Sequence, residues 1–216
     1  MSHNWLPKFF GDKTYFISDL HFNHRNICRG TSSWENKEGC RDFETLEEMN
    51  ETILKCISDT VPEDGVLING GDILFGDKKQ IHYFLSRIKV KEHHFIFGNH
   101  DDWIQKSANV VHSDYETENI CDLFTTTNHY MEILCSLKGG GWKQVNLFHY
   151  PLKSWNNVNK GAYAITGHEH GDWPYEEWEL GLDVGWEVFK RPISFYEVQE
   201  IMAKKQSKKI HHKGRE

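Results

Sequence analysis

The stretch TYFISDLHFNHRNI, residues 14–27, decides how the rest of the chain is read. Thr14 to Ser18 form a short apolar run that closes on a polar turn, the pattern of a buried strand. Asp19 then stands at the C-terminal end of that strand, with His21 two residues further on. The same figure returns twice. Gly65 to Asn69 lead straight into Gly70, Gly71 and Asp72, and the segment HHFIFGNHD ends in Gly98, Asn99, His100 and Asp101. Between these runs, Leu46, Met49, Ile53 and Ile57 fall on one helical stripe, as do Ile81, Phe84, Leu85 and Ile88. Strand, polar tip and helix in succession predict an α/β sheet whose chemistry lies in loops beyond the strand ends.

The second half predicts more strand. MEILCSL and WKQVNLFHY flank the turn-like Lys138 to Gly141 and read as a hairpin, and YAITG and ELGLDVG read as further strands. Ser194 and Glu197 make a capping box ahead of Phe195, Val198, Ile201 and Met202, which predicts a closing helix. A chain of 216 residues is long enough for one substantial core and short for two. One domain over residues 1–203 is expected, followed by a basic tail, 204–216, that frays.

Composition narrows the classes. With 38% hydrophobic and 26% charged residues, 8 Trp and 13 Phe, the chain reads as an aromatic-rich soluble globule. No apolar run approaches the roughly 18 residues that cross a bilayer, and the start lacks a basic n-region followed by an apolar core. The five cysteines, Cys28, Cys40, Cys56, Cys121 and Cys135, are odd in number, widely spaced and without a CxxC pair. Neither a disulfide framework nor a thiolate zinc site is indicated, so packing roles in a reducing cytoplasm are expected. Net charge is −7, but residues 204–216 hold six Lys or Arg against one Glu, which leaves −12 for the rest. An acidic body disfavours extended nucleic-acid binding unless a local basic patch or the tail meets the strand.

Five motifs follow in order: Asp19-Leu20-His21, Gly71-Asp72, Gly98-Asn99-His100-Asp101, His149, and Gly167-His168-Glu169-His170. In extended or turn backbone, residues i and i+2 can project to one side, so Asp19 with His21 and His168 with His170 can converge on one centre. Mixed imidazole and carboxylate ligands favour manganese, iron, zinc, cobalt or nickel over magnesium or calcium. Asp72, an isolated carboxylate with two oxygens, is the natural candidate to bridge two cations. A lone histidine is usually a surface or core residue, and a structural zinc site would need only four ligands and no spare His100.

As a set these motifs resemble the calcineurin-like metallophosphoesterase superfamily, whose pattern is DxH, GD, GNH followed by an acid, a lone His, and GHxH. The opening Ser18 to Ile27 is similar to a group of small single-domain members with an SDxHFxHxNI motif, and HYPL at His149 to Leu152 fits as well. The resemblance covers Asp19 to His170. It implies an α/β/β/α sandwich of two mixed sheets flanked by helices, with the metal site at the strand ends. It further implies two divalent transition-metal ions, manganese first among the candidates. Asp19, His21, Asp72 and His170 would surround one ion, and Asp72, Asn99, His149 and His168 the other. His100 would be the general acid, oriented by Asp101. Many relatives carry a second Asp shortly after GD, whereas here ILFGD follows, which puts any role for Asp77 in doubt.

The expected reaction is hydrolysis of a phosphodiester in a small nucleotide-like or cyclic nucleotide substrate by metal-activated hydroxide. His24 and Arg25 are candidates to meet a second phosphate oxygen or the leaving group. Trp155 could stack on a base or simply pack. The competing readings are a phosphomonoesterase or protein phosphatase, a nuclease using the Lys-rich tail, and a catalytically silent interaction scaffold.

Overall fold

In the computed structural model, residues 5–108, 119–172, 175 and 179–205 are described. The first apolar run is β2 (Thr14–Ile17), the second β3 (Val66–Asn69) and the third β4 (Glu92–Ile96). They pair in parallel and in that order, extended by β5 (Thr126–Asn128) on one side and by an antiparallel β10 (Ile193–Ser194) on the other. Helices α1 (Leu46–Thr60), α2 (Lys78–Arg87) and α3 (Asp102–Ala108) follow β2, β3 and β4 in chain order. The second sheet holds β1 (Lys8–Phe9), β6 (Tyr130–Ser136), β7 (Trp142–Phe148), β8 (Tyr163–Thr166) and β9 (Gly181–Asp183). Its β6–β7 pair is the predicted antiparallel hairpin, and β7, β8 and β9 run parallel. Two mixed sheets with flanking helices are therefore present, as expected.

The continuous apolar character of β2 to β4 has a packing cause. Ile17, Leu67 and Phe95 join Met49, Ile53, Ile57, Ile81 and Phe84 in a core between the first sheet and α1 and α2. Their neighbours Phe16, Ile68 and Ile96 point the other way, into the layer shared with Ile133, Val145, Leu147 and Ile165 of the second sheet. A strand covered on both faces has no solvent side on which polar residues would alternate. Helix α5 (Phe195–Lys204) lays Phe195, Val198 and Met202 on that inter-sheet layer. Its predicted capping box is formed, with Ser194 Oγ accepting from Glu197 N and Glu197 accepting from Ser194 N.

Lys204 closes α5, and Lys205 Nζ donates to Glu179 O at 3.0 Å and Gly181 O at 2.6 Å, so the Lys205 side chain rests on the body of the protein. Residues 206–216 lie outside the described residues. All five cysteines are free, and Cys28, Cys40 and Cys135 are buried. Among the described residues no helix is long and apolar enough to cross a membrane. Short α4 (Trp186–Phe189) follows β9 and leads the chain back to β10.

One histidine is buried away from any chemistry. His93 on β4 packs edge-on against Phe124, ring centroids 5.0 Å apart, and its Nε2 has no hydrogen-bond partner. Burial, helped by neighbouring His94, pulls its pKa down to about 3 from an ordinary 6.5. Between those values the unfolded chain binds the extra proton, so this contribution to stability is complete above pH 6.5 and is lost as pH falls towards 3. Urea denaturation across this window should therefore show His93→Leu with a shallower loss on acidification than the parent, by up to about 1.4 kcal/mol per pH unit. Parallel curves for the two proteins would refute the assignment.

Candidate metal centre

The five motifs meet because they follow strands whose C-terminal ends share one edge of the molecule. Asp19 lies beyond β2, Asp72 beyond β3, Asn99 beyond β4, His149 beyond β7 and His168 beyond β8. Backbone bonds tie these tips together: Asp19 N donates to Gly71 O at 2.9 Å, His21 N to Asp72 O at 3.0 Å, and Gly167 N to His149 O at 2.8 Å. The two sheets are joined at the same place, since Ser18 N donates to Val184 O and Trp186 N to Ser18 O. Glycine is demanded where the tips touch. Gly71 has φ +112°, and a Cβ there would lie 2.6 Å from His149 Nδ1. A Cβ on Gly167 would overlap Ser18 Oγ and the Asp19 carboxylate.

All seven residues expected as ligands come together. Asp19, His21 and His170 form one candidate metal-ligand group and Asp72, His149 and His168 another, with the ligand atoms of each group within 4.8 Å of one another. Asp72 Oδ2 lies between the groups, 3.8 Å from His21 Nε2 and 3.5 Å from His149 Nε2. Asn99 Oδ1 faces His149 Nε2 at 3.0 Å and His168 Nδ1 at 2.8 Å. His149 Nδ1 sits 2.8 Å from Gly70 O, a carbonyl that can only accept, so Nδ1 carries a hydrogen and Nε2 is the nitrogen directed at Asp72 and Asn99. Asp19 Oδ1 and His21 Nε2 are buried without any hydrogen-bond partner. Orphaned lone pairs converging in a buried pocket fit a cation, which would satisfy all of them at once.

The electrostatics agree. Burial pushes the Asp19 carboxyl up to about 6, despite the neighbouring His149 and His170. Burial likewise holds His21 well below its ordinary value, leaving a neutral imidazole. Asp72 is also pushed up by burial, but its contacts to His149 and the N–H of His100 outweigh that and bring it below the usual range.

Asp101 does not orient His100. Its buried carboxylate accepts from Gly98 N and Asp72 N at 2.7 Å and from Ile73 N at 3.2 Å, so it pins the β3 and β4 tips to each other. Backbone N–H groups left over at these sharp turns need an acceptor, and the carboxylate next in sequence supplies it. His24 Nδ1 lies 3.2 Å from His21 Nδ1, and its ring stacks on Phe75. Desolvation, with His100 and Arg41 nearby, lowers its pKa to about 4, so it carries no charge for an anion at neutral pH. Arg25 is exposed on the same loop. Trp155 packs, donating Nε1–H to Ala162 O, and Asp77 caps α2 in a capping box with Gln80.

Arg41 and Glu187 escaped the sequence reading. Arg41 is 4% exposed and donates to Asp19 O and Leu20 O, each at 2.6 Å, and to Glu187 Oε1 at 2.7 Å. Glu187 Oε2 in turn lies 2.9 Å from His170 Nδ1. Burial would raise Glu187, but His170 and Arg41 prevail and hold it at about 2. The pair therefore links the backbone of Asp19 to the ring of His170 within one group. Asp183 does similar service, accepting from Gly171 N and Gly185 N. No local motif marks these residues; an Arg and a Glu 146 positions apart meet only through the fold.

The family model for calcineurin-like phosphoesterases matches residues 13–192. The chain belongs to that family, a superfamily of metal-dependent hydrolases. It is 31% identical over 105 residues to uncharacterized protein MJ1445 of Methanocaldococcus jannaschii, an alignment covering 48% of this chain and 55% of the relative. The chain thus spans about half the length of that curated relative. Among solved structures it resembles the protein of unknown function AQ665 from Aquifex aeolicus, with TM-score 0.57, 20% identity, and 87% and 98% of the two chains covered. That likeness concerns the fold alone. A weaker match is Pseudomonas putida nuclease MPE, with TM-score 0.39, 15% identity, and 74% and 62% covered.

If Glu187 fixes the ring of His170, Glu187→Gln should weaken Mn²⁺ binding about 10- to 100-fold in calorimetric titration while circular dichroism stays that of the parent. Unaltered affinity would remove Glu187 from the centre.

Proposed function

We propose that the chain hydrolyses a phosphodiester in a small nucleotide-like substrate at a centre of two divalent transition-metal ions, manganese foremost. The observation that carries this reading is the position of Asp72 Oδ2, within 3.5–3.9 Å of His21, His149 and His100. One carboxylate oxygen thus adjoins both groups and a further imidazole. Asp19, His21, His170 and Asp72 would hold one ion, and Asp72, Asn99, His149 and His168 the other. When bound, such ions supply Lewis acidity and a nucleophile at neutral pH.

His100 is the proton donor to the leaving oxygen. Its side chain is 44% exposed, so it borders both the centre and the solvent from which substrate arrives. Its backbone N donates to Asp72 Oδ1 at 2.8 Å, which ties the donor to the shared carboxylate. Asp101 is a positioning residue: by clamping Gly98, Asp72 and Ile73 it sets where His100 can reach. A diester suits the available charge. The guanidinium of Arg41 is buried with its nitrogens on Asp19 O, Leu20 O and Glu187, so it presents no free fork to a monoester dianion. The free thiols suit a reducing compartment such as the cytoplasm.

With Mn²⁺ present, kcat/KM for bis-p-nitrophenyl phosphate should exceed that for p-nitrophenyl phosphate by tenfold or more; the reverse order would make the protein a monoesterase. His100→Ala should retain metal by elemental analysis while kcat towards an unactivated dinucleotide falls about 10²- to 10⁴-fold. A metal-loaded variant with parental kcat would exclude His100 as the acid.

A further inference from the structure

Aromatic rings wall the centre on two sides. Beside His100, Phe75 lies 4.8 Å from that ring, 5.3 Å from His21, and stacks on His24 with centroids 3.8 Å apart and planes at 17°. Trp34 stands edge-on to His24, at 6.1 Å and 89°, and is 46% exposed. On the opposite flank Tyr150 sits edge-on to His149 at 5.0 Å and to His168 at 4.7 Å, and is 38% exposed.

A ring whose purpose is packing gains by being covered, as Trp155 is at 8% exposure with its N–H bonded. Trp34 instead keeps much of its surface in water beside His24, and Tyr150 beside His149 and His168. Large planar surfaces flanking a phosphate-binding point suit heteroaromatic rings carried by the phosphate's two substituents.

We infer that these rings form two base-stacking subsites, Phe75, His24 and Trp34 for the leaving nucleoside next to His100, and Tyr150 for the retained nucleotide next to His168. The substrate class is then a dinucleotide-like diester with a planar base on each side of phosphorus. This rests on the proposed phosphodiesterase reading and sharpens it. Stacking tolerates any base, since each has a π-face, so discrimination between thymine and adenine should be small.

Calorimetry on Mn²⁺-loaded protein tests the two subsites separately, using phosphorothioate diesters that resist hydrolysis for the first and phosphate monoesters for the second. The thymidine dinucleotide should bind about tenfold tighter than thymidine 5′-methyl phosphorothioate, an advantage lost in Trp34→Ala and kept in Trp34→Phe. Thymidine monophosphate should bind about tenfold tighter than methyl phosphate, an advantage lost in Tyr150→Ala and kept in Tyr150→Phe. Ratios near one in the parent, or ratios that the alanine variants leave intact, would overturn the inference. A twelve-residue thymidine strand that binds over tenfold tighter than the dinucleotide would overturn the assignment to a small substrate. Failure of the underlying reading is distinguishable, because it appears as absent bis-p-nitrophenyl phosphate turnover whatever the ratios.

Discussion

Asp19 and Asp72 are buried side by side at the seam between two sheets, at 0% and 2% exposure. Two carboxylates out of water repel each other and forfeit hydration, so the surroundings must compensate. Part of the compensation is backbone: His168 N donates to Asp19 Oδ2, and His100 N to Asp72 Oδ1. The remaining oxygens face imidazole nitrogens and, in the proposed enzyme, metal ions. The β2, β3, β4, β7 and β8 tips are arranged about this requirement, each arriving from a parallel strand with its donors or lone pairs directed at the same volume.

The arrangement is held against backbone preference. Asp19, His21, Asp72, His168 and His170 all adopt positive φ, between 47° and 78°, a region that costs a side-chain-bearing residue about 1 kcal/mol or more. Left-handed turns reverse the chain within a residue or two, which lets Asp19 and His21 both face inward although Leu20 between them is fully buried in the helix-side core. The bonds from Asp19 N to Gly71 O and from His21 N to Asp72 O keep these turns closed, and Asp101 holds the neighbouring tips in place. Such strain persists because the sheets beneath over-determine the loops.

This division explains what could be read from the chain. The strands were legible because burial on both faces leaves unbroken apolar runs, and the ligand motifs were legible because each is a short string at a strand end. Arg41 and Glu187 were not, since the contact between them depends on how the loop after β2 folds over α4. For Asp101, adjacency to His100 suggests an interaction between side chains, whereas the carboxylate accepts from the backbone N–H groups of Gly98, Asp72 and Ile73. Likewise the sequence offers His24 as a phosphate contact and gives no sign that its ring stacks on Phe75.

The centre and its rim therefore obey different constraints. Every candidate ligand follows a strand and is held by hydrogen bonds within the frame, so the proposed chemistry follows from the architecture. Trp34 lies in the loop between β2 and α1, and Tyr150 just beyond β7, where a change of side chain leaves the sheets untouched. Family membership thus fixes hydrolysis of a phosphoester far more firmly than it fixes the molecule cleaved. The proposed small substrate accords with the charge distribution, −7 overall and −12 without residues 204–216, because an acidic body gives a long polyanion little to hold. On the proposed reading, specificity would be set by exposed aromatic area around a buried electrostatic core, and the two could vary independently.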